Sequence, residues 1–560
     1  MAHGAGRVTF VLLQGAASSC QLALAELGIV PTFSILTPVY RPPVEQFEAC
    51  VRSVLGQTTA DWEWVLVDDA SGDPWISSRL DDLEWSDSRI VVYRREENGG
   101  IVAASNDALE RASGPFIVML DHDDELEFDA LETVAEVIAE CPDVDYLYSD
   151  ELAWDIKLGR YIPFFKPAWS LERIRCQNYA NHLSVFRRDL VVELGGWRAG
   201  FDGAQDHDLV LRVAEHARRI RHIPKVLYRW NAAPDSTVGN AEAKPYAFEN
   251  GVRAVQEHAD RVGLDADVAL GPDPGVYRVT RRMDREPKVA VVIPSAAPRG
   301  VVFGEERDFL RCTIEDLVER TTYDNLEVIV VPDPEVPRER LAEIESIAPG
   351  TVRCVPAVPR PFNFSRKVNW GVAWSESDYV LLLNDDVAVT HPEWLRNMVG
   401  ICEQDDVGAV GAKLMFEDGR IQHAGVFIWG WPGHVGFGLS QEDSGYLSML
   451  AVDRECVAVT GACLLTPRSV FDEVGGFHLG LPSNWNDVDY CLKVRATGRR
   501  IVWTPQAKLY HFESITRDPR IQDMERDRFN IRWAHELWSD PYLTPHNPPA
   551  GIEWPLASSR

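Results

Sequence analysis

Positive charge is scarce in this chain: 56 lysines and arginines stand against 86 aspartates and glutamates, a net charge of −30. A field of that sign repels nucleic acid and does not hold a chain on an anionic membrane by charge alone. No C-x-x-C pair occurs among the 10 cysteines, so neither a zinc site nor a dithiol redox motif is indicated, and reduced, buried thiols are the plain reading. No apolar run approaches the ~18 residues of a membrane-spanning helix. Val8 to Leu13 and the small residues ending at Cys20 faintly mimic a secretory leader, but the run is short and its basic flank is only Arg7, so a surface extension is expected. The glycine-rich stretch Gly433-His-Val-Gly-Phe-Gly438 lacks the strand–helix context of a dinucleotide fingerprint, which argues against a Rossmann dehydrogenase. A glycine/lysine-rich phosphate loop is missing after the first strand, which argues against a nucleotidyltransferase.

What is present is ordinary globular composition, 45% hydrophobic and 25% charged, in 560 residues, too many for one core. A long-period repeat organises them. The apolar run Phe33-Ser-Ile-Leu-Thr-Pro-Val39 has a counterpart in Lys288-Val-Ala-Val-Val-Ile-Pro-Ser295, and Trp62-Glu-Trp-Val-Leu-Val-Asp-Asp69 one in Leu326-Glu-Val-Ile-Val-Val-Pro-Asp333. Asn106 precedes Phe116-Ile-Val-Met-Leu120 and Asp121-His-Asp-Asp124, as Asn369 precedes Tyr379-Val-Leu-Leu-Leu383 and Asn384-Asp-Asp386; both asparagines lie 15 residues before the polar turn. Then come Gly195-Gly-Trp197 with Gln205-Asp-His-Asp208, and Gly475-Gly-Phe477 with Asn486-Asp-Val-Asp489. Five landmarks in one order mean a duplicated domain. Strands alternating with helical stretches predict α/β units on mainly parallel sheets. The Pro/Gly-rich Gly271-Pro-Asp-Pro-Gly275 and the stretch up to Pro287 read as the connection, so the expected domains are 33–285 and 286–560, the second with a C-terminal helix and tail, after an extension over 1–32.

Ligands of open α/β sheets bind beyond the carboxyl ends of the strands, where both acidic clusters sit. Carboxylates crowded on one turn repel unless a cation neutralises them, and hard oxygen ligands suit Mg²⁺ or Mn²⁺ with a substrate diphosphate completing the shell. A solvated turn or helix cap is the bland alternative for one cluster. Two clusters at equivalent places favour a site.

The ordered motifs resemble two copies of the inverting family 2 glycosyltransferases with the GT-A fold. In the first copy the resemblance rests on Thr37-Pro-Val-Tyr40, Val67-Asp-Asp-Ala-Ser71, Asp121-His-Asp123, Gly195-Gly-Trp197 and Gln205-Asp-His-Asp208. In the second it rests on Asn384-Asp-Asp386, Gly475-Gly-Phe477, Asn486-Asp-Val-Asp489 and Leu509-Tyr-His-Phe-Glu-Ser514. The tail Asp540-Pro-Tyr-Leu-Thr-Pro-His-Asn547 resembles the ending of rhamnosyltransferase-like members. The resemblance implies that Asp206 and Asp487 are general bases and that Asp123 and Asp386 hold the metal. A nucleotide-diphosphate sugar would be bound by Thr37, Pro38, Tyr40, Asp68, Asp69, Asn106 and Asp121, and in the second copy by Pro294, Asp333, Asn369, Asn384 and Asp385. It further implies a glycan or lipid-linked acceptor and a role in building a cell-surface polysaccharide. A base is needed on chemical grounds too, since a sugar hydroxyl is a poor nucleophile.

The copies differ. Pro332 replaces Asp68, and His511, a metal-ligand candidate, aligns with Arg229 in Leu227-Tyr-Arg-Trp230. Arg229 is open between facing the diphosphate and lying at the surface. Trp197 and Trp485, beside the base motifs, are weak candidates for sugar contact, because most tryptophans are core residues. The competing readings are one active domain beside a degenerate acceptor-holding one, and a non-catalytic carbohydrate-binding scaffold. A cytoplasmic location is expected, with peripheral association at the inner face of the cell membrane as the alternative; donor sugar, linkage and oligomeric state stay open.

Overall fold

In the computed structural model, the residues described are 30–155, 158–231, 245–512 and 521–543. Most of the expected extension, the last residues of the Leu509–Ser514 motif and the tail from 544 onward lie outside them. The chain forms two compact units. One runs to Trp169 and resumes over Asn178–Val262; the other takes Ser170–Gln177 and continues from Gly263.

The first unit is built on a nine-stranded sheet. From one edge, Ile90–Arg94, Trp62–Asp68, Phe33–Val39 and Phe116–Met119 run parallel; Ser184–Arg187, antiparallel to the last of these, leads on to Tyr146–Asp155, Ile220–Trp230 and Glu125–Leu126. The second unit's ten-stranded sheet repeats that order: Val352–Cys354, Leu326–Pro332, Val289–Ser295, Tyr379–Leu383, Cys463–Pro467, Val407–Met415, Arg500–His511 and Val387–Val389. Strand for strand, the duplication is a duplication of topology.

The unbroken apolar runs follow from burial on both faces. In Val289–Ser295, Val289, Val291 and Ile293 enter one core cluster while Ala290 and Val292 enter another, as the two-residue period of a strand dictates. Helices cover these faces because parallel strands need crossovers. Gly271–Gly275 lies between Ala266–Leu270 and Tyr277–Arg281, which pair as an antiparallel ribbon in the second unit. The short helix Leu171–Cys176 is tied to the same unit by the buried Glu172, which meets Arg281 at 2.5 Å, Arg175 at 2.8 Å and Arg500 at 3.1 Å. The nine cysteines among the described residues are free, seven of them buried. None of the described helices is long and apolar enough to cross a membrane.

Candidate active sites

The strongest sequence landmarks turn out to hold one another. Asn106, on the helix Gly100–Arg111, accepts from the Trp197 N–H at 2.9 Å and donates to the Trp197 carbonyl at 2.8 Å. Asn369 does the same to Phe477, at 2.8 and 2.9 Å. Both amides, assigned by the motif to the nucleotide sugar, hold the backbone of the glycine-pair loop. The paired glycines follow from this. A Cβ on Gly196 (φ +69°) would stand 2.3 Å from Asn106 Oδ1, and one on Gly476 (φ +61°) 2.7 Å from Asn369 Oδ1. Each link fixes the loop leading to the helix that carries the base candidate, Gln205–His216 or Asn486–Ala496, and Asp206 and Asp487 both fall in the first turn.

In the first unit, Asp121, Asn181, His182, Ser184, Asp206 and Tyr228 line one cavity at the carboxyl end of the central strand. Burial, reinforced by the charge of Asp121 and opposed by His182, pushes the Asp206 carboxyl up to about 6. Its oxygens receive Trp197 Nε1–H at 3.4 Å and Gln205 Nε2–H at 3.0 Å. Trp197 is thus a buried donor to the base candidate rather than a sugar platform. Burial also raises the Asp123 carboxyl, with His122 opposing and Asp121 adding to the rise. Asp124 is closed off by Tyr228 Oη–H and Asn231 N–H, both at 2.7 Å.

The nucleoside end of that site is less open than the motif suggests. Asp69 accepts from Gly99 N–H and Gly100 N–H at 2.8 Å each, capping the helix Gly100–Arg111, and meets Arg95 at 3.0 Å. Both Asp69 oxygens thus have protein partners, while Asp68 accepts from Ser71 N–H at 3.0 Å. Thr37 is wholly buried and accepts from Trp64 Nε1–H at 2.9 Å, so it too serves the fold. Pro38 offers its carbonyl to His122 Nδ1 at 3.0 Å, and Tyr40 is exposed beside Arg41.

In the second unit, Asp386 is 2% exposed and both carboxylate oxygens lack a hydrogen-bond partner. His511 Nε2 stands 3.2 Å from Oδ1, and Asn384 Nδ2 lies 2.9 Å from the same nitrogen. His511 Nδ1 meets Gln422 Oε1 at 2.6 Å; with the ring proton on that side, Nε2 would be left as a ligand atom facing the buried carboxylate. Two electron-rich groups so placed fit a shared divalent cation. Among the described residues no group of three or more His, Cys, Asp or Glu side chains is arranged to hold a metal; a cation between Asp386 and His511 would draw the rest of its shell from substrate oxygens.

The neighbouring carboxyl, Asp385, accepts from Ser295 Oγ–H; burial first, then Asp386, push it up to about 7. Asp333, the counterpart of Asp69, is paired with the buried Lys367 at 2.7 Å and with Arg360 at 3.5 Å. Pro294 lies in the opening strand, opposite Val331. Asp487 accepts from Gly461 N–H and Val488 N–H at 2.9 Å each and from Thr460 Oγ–H at 3.3 Å. Trp485, half-buried, takes a left-handed backbone (φ +55°) and packs against Phe529 at 5.1 Å.

Strand registers correct one further match. Phe116 and Tyr379 pair with the first residues of their opening strands, so Asp123 corresponds to Asp386. In the second unit Val387 faces His511, whereas in the first Glu125 faces Arg229. Extending the first ladder by one residue sets Trp230, not Arg229, in the place of His511. Arg229 itself pairs with Glu127 at 2.6 Å and is 40% exposed. Sequence reasoning missed His182, Glu151 and Gln422. A histidine two residues before a strand carries no motif, and only the fold brings it to the acid turn.

Two GT-A domains are defined by this strand order, with an acid turn at the end of one central strand and a base candidate opening a later helix. The comparisons agree. A model of "Glycosyl transferase family 2" matches residues 34–195, and one of "Glycosyltransferase like family 2" matches 287–533. The chain is 41% identical to the uncharacterized protein y4gI of Sinorhizobium fredii over 92% of its length, and 34% identical to the O-antigen biosynthesis protein RfbC of Myxococcus xanthus over 94%. It spans 57% and 41% of the lengths of those relatives. Staphylococcus aureus TarS 1-349 in complex with UDP-GlcNAc overlaps 40% of this chain and 66% of its own, at 22% identity and a TM-score of 0.35, too partial a likeness to build on. The chain belongs to glycosyltransferase family 2 and carries two domains of that family in tandem.

Proposed function

We propose that both domains, 33–285 and 286–560 after an extension over 1–32, transfer sugars with inversion from nucleotide-diphosphate donors to a growing polysaccharide or lipid-linked glycan. The observation that carries this reading is the recurrence, in both units, of a buried acid turn at the carboxyl end of one central strand and an aspartate in the first turn of a later helix. A binding scaffold needs no such pair. Asp206 and Asp487 take the proton of the acceptor hydroxyl as its oxygen bonds to the anomeric carbon, and the diphosphate leaves with the electrons of the broken bond. Asp386 with His511, and Asp123, would hold Mg²⁺ or Mn²⁺, which when bound offsets the charge gathering on the diphosphate. Asp68 reads the nucleoside in the first domain. In the second, where Asp333 is tied to Lys367, the recognition differs, so we assign the two domains different donors or linkages. O-antigen biosynthesis, named for the Myxococcus relative, supports a cell-surface glycan as product. A cytoplasmic chain working at the inner face of the membrane is consistent with that product.

The test is a donor screen of the full chain and of the variants Asp206→Asn and Asp487→Asn, reading released nucleoside diphosphate and product linkage. Each variant is expected to lose one linkage. A variant whose products match wild type in length and linkage would show that its domain is a relic and remove the two-site reading.

A further inference from the structure

The first domain lacks the imidazole that His511 brings to the second, yet its cavity holds another one. His182 enters from the segment ahead of the strand Ser184–Arg187. Phe116 pairs with Arg187 and Tyr379 with Pro467, so five residues earlier His182 takes the place held in the second domain by Ala462. Its ring stacks on Tyr228 at 4.9 Å, and Tyr228 Oη–H reaches Asp124 at 2.7 Å, which sets the imidazole beside the acid turn. Glu151 Oε2 lies 3.2 Å from His182 Nδ1 and accepts from the His182 backbone N–H at 2.5 Å. Lys166, 3.3 Å from the same oxygen, donates to the His182 carbonyl and braces the pair from behind. The ring, 25% exposed, lines the cavity shared by Asp121 and Asp206, and with Nδ1 committed to Glu151 it is Nε2 that serves that cavity.

We propose that Glu151 and His182 form a carboxylate–imidazole dyad that presents Nε2–H to the departing diphosphate in the first domain. This rests on the transferase reading and adds to it a group from outside the family motifs. The anomeric C–O bond breaks toward the diphosphate, the acceptor oxygen forms the new bond and Asp206 takes its proton. His182 keeps its own proton and contributes a hydrogen bond and positive charge where negative charge accumulates. Burial alone would lower the imidazole; the Glu151 hydrogen bond and charge, with Asp121 and Asp124, outweigh it and push the group up to about 9. The neighbouring groups that set this balance are Glu151, Lys166, Asp121, Asp123, Asp124, Asp206 and Tyr228. Glu151 is a positioning residue.

The experiment uses the full chain in an Asp487→Asn background, so that transfer reports the first domain. Binding of UDP, GDP and dTDP is compared with that of the matching nucleosides, and transfer is followed in a single turnover. His182→Gln is expected to lower transfer on the order of 10²-fold, and to weaken the preferred diphosphate about tenfold while its nucleoside binds as before. Glu151→Gln is expected to move the upper pH limit of diphosphate binding down from about 9, a shift that loss of packing alone does not produce. Unchanged diphosphate binding and transfer in His182→Gln, or equal loss of nucleoside and diphosphate, overturns the dyad. Failure of the underlying reading has another signature: Asp206→Asn would then transfer as well as its parent.

Discussion

The two domains agree where backbone sets the requirement and diverge where a ligand would be met. Both build the same strand order, and both lock a Gly-Gly loop with one helical asparagine. At the acid turn, however, the second domain faces Asp386 with His511 from the strand Arg500–His511, while the first draws His182 from the segment ahead of Ser184–Arg187. At the nucleoside end Asp68 stands in one and Pro332 in the other. A duplicated fold tolerates little change in its hydrogen-bonded joints, because an orphaned buried amide costs about 1–3 kcal/mol. Its ligand ends carry no such penalty and are free to separate.

The largest expected effect is on chemistry. Asp206→Asn and Asp487→Asn keep the side-chain shape but remove the basic oxygen, so each should cost at least about 10²-fold in its own linkage, with donor binding retained; mass and linkage analysis of the products checks this. Unequal losses would sharpen the contrast between the domains.

Metal use should separate them next. His511→Ala is expected to weaken Mg²⁺ or Mn²⁺ activation of the second linkage alone. Gln422→Leu, which frees the ring that Gln422 orients, should do the same by roughly 10–100-fold. Metal titrations of each linkage read the outcome, and full activity of both linkages in a chelator would break the metal assignment altogether.

A pH comparison is gentler. With Asp206 as the proposed base, transfer by the first domain should rise to half its maximum near pH 6. The fold favours the protonated form, because the carboxyl lies above its ordinary 3.8. Its contribution to stability is therefore greatest in acid and is lost as pH climbs from about 4 through 6. Thermal melts of Asp206→Asn should accordingly exceed wild type at neutral pH and match it near pH 4.

Smaller still are the structural substitutions. Asn106→Ala and Asn369→Ala should each destabilise their own domain by about 1–3 kcal/mol, since two buried backbone groups lose their partners; denaturant unfolding of the full chain would show it. Trp485→Phe is expected to leave acceptor affinity within about twofold, because an aromatic ring still fills the contact with Phe529 and such volume-conserving swaps are tolerated. A large loss of affinity there would make Trp485 a sugar contact.

The repeat, the α/β class, the acid turns and the base candidates were legible in the sequence, because strand period, helix starts and clustered carboxylates are local patterns. Asp206 and Asp487 were named as bases by the family resemblance, each opening a helix 10 or 11 residues after a glycine pair. The roles of Asn106, Asn369, Thr37 and Asp69 were not legible: each was placed by its motif beside the ligand, and each turned out to be bonded to the protein. Whether a polar side chain faces substrate or backbone depends on what lies across from it, and those partners come from segments about 30 to 110 residues away. The same holds for the imidazoles. Composition supplies histidines, motifs mark His511, but only strand register decided that Trp230 fills its place in the first domain and that His182, from the segment ahead of another strand, stands beside the acid turn there. Local pattern determined the scaffold and the carboxylates; long-range pairing across the sheet decided what stands opposite them.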